Sequence, residues 1–201
     1  MKTLRSGWVT ILLLSVAFSS CQKELSLDST TGSGGSGGGG NNGGGSGGNS
    51  SYYIKFKKDG VATTYTALVF AKITDFGATT GVTSFSVVGS AQPNGTNLEG
   101  INLTINFNNG NKPVPGTYTE DNTTLDYIAA GVYNPNSATI VYGAGIFTPS
   151  AKPFKIVIAT KTATEVTGTF EGAFYKTDTG AGTIGPEFIT FTEGEFKVKI
   201  Q

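Results

Sequence analysis

Strict alternation of apolar and polar residues, with no helical stripe of useful length, most constrains how residues 52–201 can fold. In "INLTINF", Ile101, Leu103, Ile105 and Phe107 fall on one side of an extended strand, and Asn102, Thr104 and Asn106 on the other. "FKVKI" repeats the pattern, with Phe196, Val198 and Ile200 inward and Lys197 and Lys199 outward. "FKIVIAT" (154–160) is more continuously apolar and predicts a strand in mid-sheet. Between "YYIKFKK" and "VATTYTALVF" stands Asp59-Gly60, a pair that tolerates positive φ at both corners of a tight hairpin. Asn109-Gly110, Asn134-Pro135 and the stretch Thr160 to Thr164 punctuate later runs. Roughly nine or ten short strands follow from this spacing. A segment of this length buries about two-thirds of its unfolded surface, enough for one core. The expectation is an all-β fold, a single antiparallel β-sandwich or barrel-like domain after a disordered tether.

One segment breaks the alternation. In "EVTGTFEGAFY", Val166, Phe170 and Phe174 share a face with Gly168 and Gly172. Glycine among large core residues weakens a strand unless something presses close. A bend or a tight sheet-to-sheet approach is the expected reason; a ligand lying on bare backbone is the sharper alternative.

The amino-terminal part reads differently. Lys2 and Arg5 precede an apolar run, Trp8 to Phe18, and then Ser19 and Ser20, so residues 1–20 read as an export signal. The run is too short to span a bilayer, which takes about 20 residues of helix. Phe18-Ser19-Ser20-Cys21 resembles the lipobox of bacterial lipoproteins. That resemblance implies cleavage before Cys21, a thioether to diacylglycerol on its sulfur and acylation of the new amino terminus. An incidental cysteine beside an ordinary cleavage site is the alternative. Residues 21–51 then form a linker: twelve of the eighteen residues from 32 to 49 are glycine, too little apolar area to order a chain. Such a coil spans on the order of 30 Å. Lys23 and Glu24 resemble the charged signal that sends Bacteroidota lipoproteins to the cell surface, with Leu25 where a second acid usually stands. Asp28-Ser29-Thr30 is similar to the short O-glycosylation motif of that phylum. An outer-membrane location, with surface exposure, is therefore expected.

Composition excludes several function classes. Lysine plus arginine and aspartate plus glutamate each number 14, which argues against a nucleic-acid footprint. The chain has no histidine, and its single cysteine, Cys21, lies outside the folded part. Intrachain disulfides, Ser–His and Cys–His nucleophilic sites and zinc-hydrolase sites are thus excluded. Arg5 and Trp8, each the one residue of its kind, leave with the signal. The folded part therefore lacks a guanidinium fork and the indole ring that so often floors a sugar site.

A second resemblance covers the domain. The order Gly116-Thr117-Tyr118 with Glu120 and Asp121, then "VTGTFEGAFY", then "ITFTEGEFKVKI", is similar to small all-β lipoprotein domains of Bacteroidota in families of unknown function. It implies an exposed, monomeric domain with no assigned activity and transfers no catalytic residue.

Three site chemistries are open to the residues present. A carboxylate-dependent glycan hydrolase needs two acids about 5 to 10 Å apart across a cleft. Its candidates are Glu99, Glu120, Asp121, Asp126, Glu165, Glu171, Glu187, Glu193 and Glu195, with Glu171 mid-strand and Glu193 and Glu195 on one face. Solvated surface acids are the ordinary explanation. Glu120, Asp121, Asn122 and Asp126 offer hard oxygen donors suited to calcium. They lack EF-hand spacing, so a polar loop is the default and no metal or cofactor is expected. All eight tyrosines lie in the folded part, and Asn-rich turns flank some of them. A glycan- or peptide-binding face is expected around Tyr133, Asn134, Asn136 and Tyr142, with half-buried packing as the alternative. The preferred reading is a non-enzymatic binding or structural β-domain held on the envelope by Cys21, a monomer meeting a glycan or envelope protein. The alternative is a glycan hydrolase or an accessory protein in glycan uptake.

Overall fold

The computed structural model describes residues 51–77, 79–92, 99–145 and 152–201. The expected signal, Cys21 and the linker up to residue 50 lie outside the described residues. The described part is all-β. Its strands are β1 (Tyr53–Lys58), β2 (Val61–Tyr65), β3 (Leu68–Asp75), β4 (Thr83–Ser90), β5 (Gly100–Phe107) and β6 (Gly116–Thr119). They continue as β7 (Tyr127–Asn134), β8 (Ile140–Ala144), β9 (Lys155–Lys161), β10 (Glu165–Asp178) and β11 (Thr183–Ile200). Eleven strands form where the alternation predicts nine or ten. The reason is visible in "VATTYTALVF", which breaks at Thr66 and Ala67 as the chain leaves the edge of β1 and joins β4.

The ladders arrange the strands in two facing layers. One runs β2-β1-β11-β10-β9-β6 and the other β3-β4-β5-β7-β8. The layers are stitched at two corners. Lys199 and Ile200 of β11 pair in parallel with Phe70 and Ala71 of β3, and β10 pairs with β8 from Tyr175↔Gly143 to Asp178↔Ile140. Those joins close a hydrogen-bonded ring through seven strands, so the sandwich is barrel-like. Every ladder except β11–β3 is antiparallel.

The inward residues are those the alternation assigned. Ile101, Leu103, Ile105 and Phe107 are buried, as are Phe196 and Val198. At the centre lies Phe191, edge-on to Phe56, Tyr133 and Phe174 with centroids 5.1, 5.4 and 4.6 Å away. Such edge-to-face pairs add about 0.5–1.5 kcal/mol each beyond their burial. Asp59 and Gly60 make the expected hairpin, with φ of 48° and 84°. "FKIVIAT" supplies β9, an interior strand between β10 and β6.

Close approach explains the glycines of β10. A Cβ at Gly168 would stand 2.0 Å from the Val157 carbonyl oxygen and 2.4 Å from the Phe196 ring. Gly172 sits at a bulge with φ of 149°, against the Phe154 backbone.

Candidate functional site

Two polar assemblies stand out. The first is a shallow groove of about 250 Å³ on the outer surface of β1, β9, β10 and β11. Tyr53, Ala159, Thr167, Thr169, Glu195 and Lys197 line it, over the backbone of Gly168 and Phe196. The register explains why these side chains meet. Tyr53 pairs with Lys197, which pairs with Thr167, which pairs with Thr160; Lys55, Glu195 and Thr169 form the next row. Each row points outward because its neighbours Ile54, Phe196 and Val166 point into the core.

Glu195 is the fixed point of the groove. It accepts a hydrogen bond from the Tyr53 hydroxyl and an ion pair from Lys55 at 2.8 Å. Bonds from Lys55 and then Tyr53 hold its carboxyl below the usual carboxylate range. The same bond to Glu195 raises the Tyr53 phenol and the Lys55 ammonium. Around it stand three more ion pairs, Lys57 with Glu193 at 2.7 Å, Lys155 with Glu171 at 2.5 Å, and Lys197 with Glu165 at 3.6 Å, while the exposed Lys199, opposite Glu165 in the register, belongs to no ion pair among the described residues. The Thr160 and Thr167 hydroxyls lie 2.7 Å apart. The groove thus offers hydroxyls, one oriented carboxylate, the Lys197 side chain, one aromatic ring and bare backbone.

The second assembly closes one end of the domain. Tyr65 and Tyr133 each donate a hydroxyl hydrogen bond to Oε1 of Glu99 at 3.0 Å. Lys58 donates to the Tyr133 oxygen at 2.8 Å and lies over its ring. Burial dominates both phenols and pushes their pKa upward, more strongly at Tyr65. Lys58 rises through its bond to Tyr133. These hydroxyls are committed to one another, so the network ties β1, β2 and β7 to Glu99, the residue before β5.

This placement changes the surface expected around Tyr133. Tyr133 and Tyr142 do meet, at 6.4 Å, but the Tyr133 ring is only 1 % exposed and cannot stack on a ligand. Tyr142 is half-buried against the core. Asn134 folds onto the backbone of Ser137 in both directions, which shapes its own turn. Asn136 is exposed at a positive φ of 65°.

The acids of the 120–126 loop are also dispersed in role. Glu120 is 8 % exposed, and its Oε2 has no hydrogen-bond partner. Asn122 is engaged by the Tyr127 carbonyl and by Thr124, and Asp121 and Asp126 are exposed. Among the described residues no group of three His, Cys, Asp or Glu side chains converges as a metal site. Glu193, expected beside Glu195, sits at a bulge with φ of 51° and pairs with a different lysine. Only Glu195 among the candidate acids lines the groove.

Reading the residues one by one missed the groove. Its signal was available in "YIKFKK", where Tyr53, Lys55 and Lys57 alternate with buried Ile54 and Phe56. Comparison of the chain with protein-family models, with curated proteins and with solved structures found no match.

Proposed function

We propose that this protein is a lipid-anchored envelope protein whose β-domain is a non-enzymatic binding module for an uncharged, hydroxyl-rich polymer, a neutral glycan being the chemistry that fits. The observation that carries the reading is the groove at Tyr53, Thr167, Thr169 and Glu195, because its hydrogen-bonding groups are already oriented before a ligand arrives. Four ion pairs occupy most of the surrounding charges. A neutral sugar leaves them intact: it accepts from hydroxyls, donates to Glu195 and stacks on Tyr53. The order Phe18-Ser19-Ser20-Cys21 and the glycine-rich stretch that follows support anchoring through Cys21 and display away from the bilayer.

The hydrolase alternative has less support, since glycoside hydrolysis uses two carboxyls and the groove holds one. The test is thermal unfolding of the full chain with neutral polysaccharides (cellulose, xylan, mannan and glucan oligomers) and with sulfated and uronic-acid polymers. A ligand at a hundred times its Kd adds about 2.7 kcal/mol to the folded state. For a domain of this size that is a rise of several degrees. Stabilisation by one neutral pool, lost in Tyr53→Ala, is expected. Stabilisation only by anionic polymers, or by none, overturns the reading.

A further inference from the structure

The open edges among the described residues include β6, the early part of β11 and β2, and these are not alike. β6 is four residues long, is preceded by Pro113 and Pro115, and its Thr119 N–H is occupied by the Tyr127 hydroxyl. The early part of β11, before β1 joins it at Phe191, carries Pro186 and Glu187, and the backbone of Thr190 is bonded to Asp59 through both its N–H and its carbonyl. Proline, charge and side-chain capping are the usual means of keeping an edge from pairing with another chain.

β2 has none of them. Its sequence, Val61-Ala62-Thr63-Thr64-Tyr65, contains no charge, no proline and no bulge, and Val61 is the most exposed large apolar residue of the described part, at 66 %. The hairpin sets which groups are open. A two-residue turn at Asp59-Gly60 makes Lys58 and Val61 a hydrogen-bonded pair, so Phe56↔Thr63 and Ile54↔Tyr65 are hydrogen-bonded as well. The N–H and carbonyl groups of Ala62 and Thr64 therefore point away from β1. Among the described residues no group bonds to them.

The geometry points to a second copy of this chain as the occupant. We infer that β2 pairs antiparallel with β2 of another molecule about a two-fold axis at Thr63, extending one sheet through both domains. In that register Ala62 and Thr64 exchange four backbone hydrogen bonds with Thr64 and Ala62 of the other copy. Thr63 faces its own equivalent and Val61 stands opposite Tyr65, and Thr–Thr and aromatic–β-branched pairs are among the favourable cross-strand combinations. No like charges meet along the seam. This is an isologous contact, so it closes at two copies and does not propagate into a fibre. It departs from the monomer expected from the sequence. It rests on observations other than those of the groove, whose rim residue Tyr53 lies in β1 opposite Lys197, while Lys55, the partner of Glu195, stands opposite Thr64 in the β1–β2 register.

Cross-linking decides it. Residues facing each other in a non-hydrogen-bonded antiparallel pair have Cα atoms about 4.5 Å apart. That lies within the range a disulfide spans. Thr63→Cys in the otherwise native full chain, oxidised with copper phenanthroline, is expected to give a disulfide dimer at least tenfold faster than Thr119→Cys on the β6 edge. The parent chain, which contains only Cys21, gives the background. Thr64→Pro removes one outward N–H without touching the β1 ladder. In sedimentation of the chain without introduced cysteine it is expected to lower the dimer fraction at least tenfold, with far-UV circular dichroism unchanged. Equal rates for Thr63→Cys and Thr119→Cys, or a sedimentation profile that Thr64→Pro leaves unchanged, overturns the inference. Capture of a foreign extended peptide on β2 without self-pairing overturns it too.

Discussion

The two outer surfaces of the sandwich are built on the same alternation and yet present opposite chemistry. Outward positions of β1, β9, β10 and β11 carry Lys55, Lys57, Lys155, Lys197, Lys199, Glu165, Glu171 and Glu195, and all of these but Lys199 take part in cross-strand ion pairs. Outward positions of β3, β4, β5 and β7 carry Phe70, Ser84, Ser86, Val88, Asn102, Thr104, Asn106, Ile128, Ala130 and Val132, with Lys72 the charge among them. There the contacts are a short ladder of hydroxyls and amides, Ser86 to Thr104 at 3.3 Å and Thr104 to Asn102 at 3.2 Å. The zero net charge of the chain therefore hides a division of labour. One surface holds most of its charges in matched pairs around a groove; the other carries small polar side chains interspersed with Phe70, Val88, Ile128 and Val132.

Substitutions at matched glycines break this comparison most strongly. Gly168→Ala beneath the groove forces a Cβ against the Val157 carbonyl, which cannot move without disturbing the β9–β10 ladder. It should cost about 3 kcal/mol, at the upper end of overpacking effects. In thermal denaturation that is roughly a 6–12 °C fall. Gly143→Ala in β8 meets nothing closer than 3.8 Å and should change the midpoint by less than ~2 °C. Equal effects would mean that the layer carrying the groove is no more tightly packed than the other.

Binding should separate the surfaces next. Tyr53→Ala is expected to weaken the neutral ligand about tenfold, or about 1.4 kcal/mol. Asn102→Ala on the opposite surface should leave affinity unchanged in the same titration. Loss in both would place the ligand elsewhere.

How much of this was legible in the sequence follows from how far apart the partners lie. Parity along a strand is local, so the core faces of "INLTINF" and "FKVKI" and the Asp59-Gly60 hairpin were readable directly. "YIAAGVYN" is apolar on both faces, so its parity gave no sign that Tyr133 turns inward; the β5 register, Ile101↔Tyr133, sets that. The Lys58, Tyr65, Glu99 and Tyr133 network joins residues 34 to 75 positions apart. Closure of the ring rests on two register pairs between β11 and β3 and four between β10 and β8, too few to leave a pattern.

A smaller effect concerns the buried acid of the 120–126 loop. Glu120 leaves one carboxylate oxygen unpartnered, and burying such a group costs free energy. Glu120→Met should raise stability by about 1 kcal/mol in urea denaturation. A destabilisation would show that the carboxylate has a bound counter-charge in solution.

The smallest effect is on pH dependence. The Glu195 carboxyl is lowered, so its contribution is present above the unfolded carboxylate pKa and is lost as pH falls through the folded value. Tyr53 and Lys55 are raised, so theirs is complete below their unfolded pKa values and lost as pH climbs through the folded ones. The midpoint of the parent should be flat between about pH 5 and 9 and decline on either side. Because these groups are exposed, Glu195→Gln should reduce the acid-side slope only slightly. A slope unchanged by that substitution would show the triad to be without consequence for stability.

The most direct test of the groove is residue-resolved. The isotopically labelled chain would be titrated with neutral hexasaccharides of glucose, xylose, mannose and N-acetylglucosamine while its backbone amide resonances are followed by NMR. The account predicts saturable shifts at Tyr53, Thr167, Gly168, Thr169, Glu195 and Lys197 with one of these sugars, and still resonances at Ser84, Ser86, Asn102 and Thr104. Shifts confined to the surface of β3, β4, β5 and β7, or none at millimolar sugar, would contradict it.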